Sequence, residues 1–133
     1  MSYLLSDALQ VAIYETLSAD SELAALVGGI FDAEHAGAPD LYVLLGPERM
    51  RDRPDASGSV ATHDFRVSVV TTREGYRIAK TAAGRVTELL TSGALSLDRG
   101  RVIDLRLRDA RARRDRRDDT RRVDLTFRAR TEL

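Results

Sequence analysis

The chain's 133 residues and 14.7 kDa suffice for one compact domain, residues 1–133, and are too few for two with separate cores. Hydrophobic residues make up 43% and charged residues 32%, an ordinary globular balance, and the absence of cysteine excludes disulfides, iron–sulfur clusters and thiolate zinc sites. Net charge is zero but unevenly spread: residues 1–48 hold eight acids and no Lys or Arg, whereas the remainder holds 13 acids and 21 bases, all arginine except Lys80. Such a split bears on association more than on fold. Either the folded surface mixes the charges again, or the molecule has an acidic and a basic flank able to pack head to tail. No apolar run approaches the roughly 18 to 20 residues of a membrane span. The opening MSYLLSDALQ lacks a basic segment followed by an apolar stretch, so the expectation is a chain without a signal peptide, made in the cytoplasm, with no membrane partner.

In chain order, Ser6 is the expected N-cap of a first helix. Leu9, Ala12, Ile13 and Leu17 fall at helical spacing, with Tyr14 at the margin of the stripe. Asp20 caps a short second helix with the stripe Leu23, Leu26 and Val27, and Gly28-Gly29 stops it. Ile30-Phe31 begins a short strand. Gly37-Ala38-Pro39 breaks the chain before Leu41-Tyr42-Val43-Leu44-Leu45, a buried-strand pattern that ends at Gly46-Pro47. Residues 48–59 are polar, include Pro54 and Gly58, and read as a long exposed loop. Residues 63–71 form a strand with Phe65, Val67 and Val69 on one face. A helix over about 75–90 follows, its inner stripe Ala79, Ala82, Ala83, Val86, Leu89 and Leu90, with Gly93 as terminator.

The last third reads as a long hairpin. Ile103, Leu105 and Leu107 alternate with charged residues, and then Ala110 and Ala112 take the opposite parity, which predicts a bulge near Asp109. The returning strand turns Val123, Leu125, Phe127 and Ala129 inward and Asp124, Thr126, Arg128 and Arg130 outward. Residues 113–122 contain nothing apolar, so the hairpin is expected to project past the core into solvent or a partner. The predicted fold is α+β: a single domain with a largely antiparallel sheet of about four strands, two to three helices packed on one face, and a long C-terminal hairpin.

Little in the sequence points to catalysis. Asp32, Glu34 and His35 form a loose cluster that suits a cation only weakly, and Ser57, His63 and Asp64 are the residue types of an acyl-transfer triad without a nucleophile elbow. No G-x-x-x-x-G-K phosphate loop is present. The expectation is no catalytic residue, no cofactor and no metal. From Arg111 to Arg122, by contrast, seven arginines (Arg111, Arg113, Arg114, Arg116, Arg117, Arg121, Arg122) stand with three aspartates. Three readings stay open: a solvated tip laced with Arg–Asp pairs, an intersubunit contact through bidentate Arg–carboxylate pairs, or direct nucleic-acid binding. Against the last, no aromatic interleaves to stack on bases and the aspartates dilute the field. Arg49, Arg51 and Arg53 in the 48–59 segment are further candidate contact residues, since long loops in compact domains often order against a neighbour.

Several stretches resemble a known family. They are Gly37-Ala38-Pro39 leading into Tyr42-Val43-Leu44-Leu45-Gly46, the strand His63-Asp64-Phe65-Arg66-Val67-Ser68-Val69, and the ending Arg122-Val123-Asp124-Leu125-Thr126-Phe127-Arg128-Ala129-Arg130. The opening, with Leu9-Gln10, Tyr14 and Ala24-Ala25-Leu26-Val27-Gly28, joins them. Together they are similar to the tail-completion or tail-terminator proteins of long-tailed phages, above all to the version in gene transfer agents, the phage-derived particles of alphaproteobacteria. One departure is the tip, residues 113–121, more heavily charged than the family pattern. The resemblance implies a virion protein at the head-proximal end of the tail, assembled in the host cytoplasm. It implies a ring of copies, usually six, that caps the tail tube, stops polymerisation of the major tail tube protein and joins the head–tail connector or stopper protein. DNA would pass transiently through the channel, and no catalysis or cofactor is implied. Two other readings of the residues stand beside it: a small nucleic-acid-binding α+β module, and a small hydrolase built on Ser57 and His63.

Overall fold

Along β3 and β5, alternation of apolar and polar residues gives the sheet a dry face, which the chain buries under its helices. In the computed structural model, which describes all residues except 1–2, 35–36, 54–59 and 94, the elements run α1 (Leu4–Ala19), α2 (Ser21–Leu26), β1 (Ile30–Phe31), β2 (Leu41–Arg53), β3 (Val60–Thr71), α3 (Arg77–Thr91), β4 (Arg101–Asp115) and β5 (Thr120–Glu132). One sheet of five strands has the order β1-β2-β3-β5-β4, antiparallel except where the two residues of β1 join β2 in parallel. This is the expected α+β architecture.

The helices share one core with the near face of the sheet. Leu9, Ile13 and Leu17 of α1, Leu23 of α2, and Ala79, Ala82, Ala83, Val86 and Leu90 of α3 pack on Leu41, Val43, Leu45, Phe65, Val67, Val69, Val123, Leu125, Phe127 and Ala129. Phe65 and Phe127, paired across β3 and β5, stack with centroids 5.5 Å apart. As expected, Asp20 caps α2, its carboxylate accepting from the Leu23 amide at 2.9 Å. Burying one side chain such as Phe127 is worth roughly 1.5–3 kcal/mol, so this layer dominates stability.

Four sequence expectations need correction. Helix α1 begins at Leu4, and Ser6 lies buried inside its first turns rather than capping it. Tyr14 faces outward at 47% exposure. Residues 48–53 continue β2 instead of forming a loop; Gly46-Pro47 is a bulge that shifts the register between Leu45 and Glu48, so that Glu48 lies opposite Phe65. A polar strand over this stretch reads as a loop because no apolar face advertises it; the 54–59 part of the expected loop lies outside the described residues. Finally, the hairpin does not project past the core. β5 is an inner strand paired with β3 from Val60↔Glu132 to Thr71↔Arg121, and at the hairpin's end Asp115, Thr120 and Arg122 are buried. The hairpin's outer strand does bulge as expected, with a register shift between Leu107 and Asp109 and a second between Val102 and Asp104. Gly100 makes entry to β4 possible: its φ is +72°, and a Cβ there would sit 2.6 Å from the Glu132 carbonyl oxygen.

Candidate functional site

Away from the helices, the same alternation sets polar residues in rows across β3, β5 and β4. Ser68, Asp124 and Arg111 share one row, Arg66, Thr126 and Asp109 the next, then Asp64, Arg128 and Arg106, and then Thr62, Arg130 and Asp104. Opposite charges meet within and between rows, at the separations where cross-strand pairs stabilise a sheet. Arg128 forks onto Asp64 at 2.8 and 3.0 Å, with Arg51 at 3.3 Å and Arg108 at 3.9 Å from the same carboxylate. Asp124 accepts from the Ser68 hydroxyl at 2.6 Å and from Arg113 Nε at 2.7 Å. Arg130 Nε reaches Asp104 at 3.0 Å.

These contacts hold the carboxylates ionised. The Arg128 hydrogen bond leads in pulling the Asp64 carboxyl below its usual range. Burial alone would raise Asp124, but the Ser68 and Arg113 hydrogen bonds outweigh it and the net shift is downward. At the hairpin's end Asp115 accepts from the Arg117 side chain and backbone amide, and those bonds take it down to about 2. Arg122, itself buried, donates to Glu34 at 2.6 Å, Asp118 at 3.0 Å and Thr120 at 3.2 Å, and lies 3.7 Å from Asp115. This cluster fastens the segment after β1 to the hairpin turn, where Asp119 takes the left-handed conformation (φ 55°).

The candidate contact residues therefore divide. Arg51, Arg113, Arg117 and Arg122 are engaged by carboxylates, as is Arg114, which grips Asp119 at 2.6 Å on the helix side. Arg121, also on that side, donates to the Arg73 carbonyl at 3.3 Å and lies 5.9 Å from the centre of the Tyr76 ring. Arg49, Arg111 and Arg116 are exposed and have no ion pair or hydrogen bond among the described residues, and Arg66, which sequence reasoning passed over, joins them. Arg53 ends β2, and its side chain lies outside the described residues.

A second polar constellation was also missed. His63 is fully buried, donates from Nδ1 to Glu48 at 2.6 Å, and has Thr131 Oγ1 2.9 Å from Nε2, while the Ser6 hydroxyl donates to the other Glu48 oxygen. Hydroxyl, imidazole and carboxylate stand in the order of an acyl-transfer triad, yet Thr131 and His63 are both 0% exposed. The cavity beside Glu48 holds about 20 Å³, room for one water. The cluster acts as a clamp joining α1, β2, β3 and β5. The His63 bond foremost holds the Glu48 carboxyl below its usual value. Ser57 and His35 lie outside the described residues; Glu34, from the loose acidic cluster, is committed to Arg122. Among the described residues no three His, Cys, Asp or Glu side chains converge on a metal position, and no helix is long and apolar enough to cross a membrane.

Comparison with known proteins places this geometry. Residues 11–132 match the model of a family described as tail completion protein gp17. Among solved structures, the chain is similar to a component of the virion of a native gene transfer agent particle, with 46% identity, a TM-score of 0.90, and 99% of this chain and 100% of that one covered. It is also similar to the gp17 protein of bacteriophage SPP1, with 25% identity, a TM-score of 0.58, and 98% and 91% covered. No curated protein matches.

Proposed function

Because this chain belongs to the tail completion protein gp17 family and is a tail component of a phage-like particle, we propose that it closes the head-proximal end of the tail tube as a ring of copies. The ring, with six members as the working number, stops further addition of the major tail tube protein and presents a surface to the head–tail connector or stopper protein. DNA leaves the head through its channel. What carries this reading is the full-length likeness to a chain of a gene transfer agent virion. The helix-free sheet face supports it: most of its arginines are already held by aspartates, which leaves few to grip phosphates, so a strand of DNA passing such a wall slides rather than binds. Arg49, Arg66, Arg106, Arg111 and Arg116, exposed and without a hydrogen bond or ion pair among the described residues, are groups available for protein contacts. No step of this role needs a chemical reaction.

Deleting the gene tests the proposal. Particles should lack properly joined tails, or carry tails of uncontrolled length, and normal tailed particles would refute it. The Arg111→Glu/Arg116→Glu double variant should fold normally and impair tail joining. Filter binding to a generic duplex at two salt concentrations addresses the nucleic-acid-binding alternative: tight binding that falls steeply with salt would favour that module over the ring.

A further inference from the structure

Part of the sequence's charge asymmetry survives folding: Asp20, Glu22, Glu34 and Asp40 pair with Arg85, Arg122 and Arg73, whereas Asp7, Glu15 and Asp32 stay together beside the edge that β1 closes. Residues 1–48 build α1, α2, β1 and the start of β2, at the edge that β1 closes; β4 forms the opposite edge. Large exposed hydrophobic residues also gather at these two places. On α1, Leu4, Val11 and Tyr14 face solvent at helical spacing, and in β4 Leu107 is 38% exposed beside the bulge; besides these only Tyr3 and Leu133, at the chain ends, are large, hydrophobic and exposed among the described residues. Between α1 and β1 runs a groove of about 580 Å³, floored by Val11, Tyr14, Ile30 and Phe31 and rimmed by Asp7, Glu15 and Asp32. Leu107 is on the helix side of β4 with Ala110 and Ala112, all three exposed, while its sequence neighbours Arg106 and Arg108 stand on the helix-free side of the same edge, Arg108 3.9 Å from Asp64. Outward of β4 the sheet has no further strand among the described residues.

We infer that the acidic groove between α1 and β1 receives the β4 edge of a second copy, with Leu107 entering against Val11 and Tyr14 while Arg106 and Arg108, on the other side of the strand, reach round its open edge to Asp7 and Glu15. The inference rests on the proposed self-association and names its surfaces. Charge selects the occupant. Groove against groove sets acids on acids, whereas groove against β4 pairs opposite signs around two apolar centres. The two patches differ and lie on opposite edges, so the contact is heterologous, the kind that closes into a ring or extends as a filament. The small side chains of Ala110 and Ala112 let the incoming α1 lie beside α3, which extends the helix layer across the boundary.

The chain's lack of cysteine makes the test clean. A Tyr14→Cys/Leu107→Cys chain is oxidised both as purified protein and inside assembled particles, alongside each single variant; both positions are exposed, and unchanged thermal midpoints confirm folding. The double variant should give a ladder of disulfide-linked chains in both settings, and the single variants should stay monomeric on the gel. Adding Glu15→Arg should cut the cross-linked yield about tenfold, and adding Arg106→Glu as well should restore much of it, as expected for a charge pair. Dimers formed by either single variant would overturn the inference in favour of a symmetric contact. An unlinked double variant in normally tailed particles would also overturn it, while the proposed function stands. A ladder in solution with the chain missing from particles would retain this contact and defeat the proposed function.

Discussion

The two faces of β3 and β5 come from one alternating sequence and solve opposite problems. Toward the helices, Phe65, Val67, Val69, Val123, Leu125 and Phe127 bury apolar surface, an attraction without direction that tolerates any well-packed shape. On the other face Asp64, Ser68, Asp124 and Arg128 are joined by directed contacts of 2.6–3.0 Å, each of which needs its particular partner. One face sets how stable the sheet is; the other keeps a helix-free surface soluble and ordered while leaving a few arginines uncommitted.

The comparison breaks most visibly at the apolar face. Phe127→Ala removes the fully buried member of the stacked pair, and urea denaturation followed by circular dichroism should show a loss of about 3–5 kcal/mol. A loss below 1 kcal/mol would mean that the helix layer is not the principal support. On the charged face the largest single effect should come from Asp124→Asn, which weakens the contacts to Ser68 and Arg113 at once, with an expected cost of about 1–3 kcal/mol. A double-mutant cycle with Arg113→Ala should show coupling above about 0.5 kcal/mol; additivity would reduce the row pattern to coincidence.

These faces differ in how far the sequence discloses them. Parity alone assigned Val123, Leu125 and Phe127 inward and Asp124 and Arg128 outward, and the parity change from Leu107 to Ala110 located the bulge. Residues 48–53 stayed illegible because their strand has no apolar side: Glu48 is satisfied by His63 and Ser6, and Arg51 by Asp64, through partners that leave no local period. The same holds for Arg122 and Glu34, 88 residues apart, and for Arg85 and Asp20, 65 apart. Local spacing shows which residues face outward, but only the folded register shows which of them are already engaged. Hence all seven hairpin arginines looked alike in sequence, although Arg122 is buried and Arg111 and Arg116 are exposed.

Acid should act on the charged contacts and spare the apolar face. Asp115 and Asp20 are held at about 2 by hydrogen bonds led by Arg117 and Arg85, and Asp64, Asp124 and Glu48 are also lowered. A depressed carboxyl contributes stability that is present above its unfolded value near 4 and is lost as pH falls through the folded value. The urea midpoint should therefore drop between about pH 4 and pH 2, and Asp115→Asn should make that drop shallower. An unchanged acid limb in the variant would show that Asp115 is not one of the groups responsible.

The smallest effect separates holding the fold from meeting a partner. Arg66 and Arg111 stand on the same charged face as Arg113 and Arg128, yet neither has a hydrogen bond or ion pair among the described residues. If the rows serve stability alone, removing any of these arginines should cost something. If the unpaired ones serve assembly, Arg66→Ala and Arg111→Ala should each leave the unfolding free energy within about 0.5 kcal/mol of the parent, as exposed substitutions without internal partners do. Each should still lower the yield of tailed particles when it replaces the parent chain. Measuring both quantities on the same two variants decides the matter, because a stability loss that accounts for the drop in particles would return these arginines to the lattice. Unchanged stability with fewer tails would assign them to a neighbouring molecule.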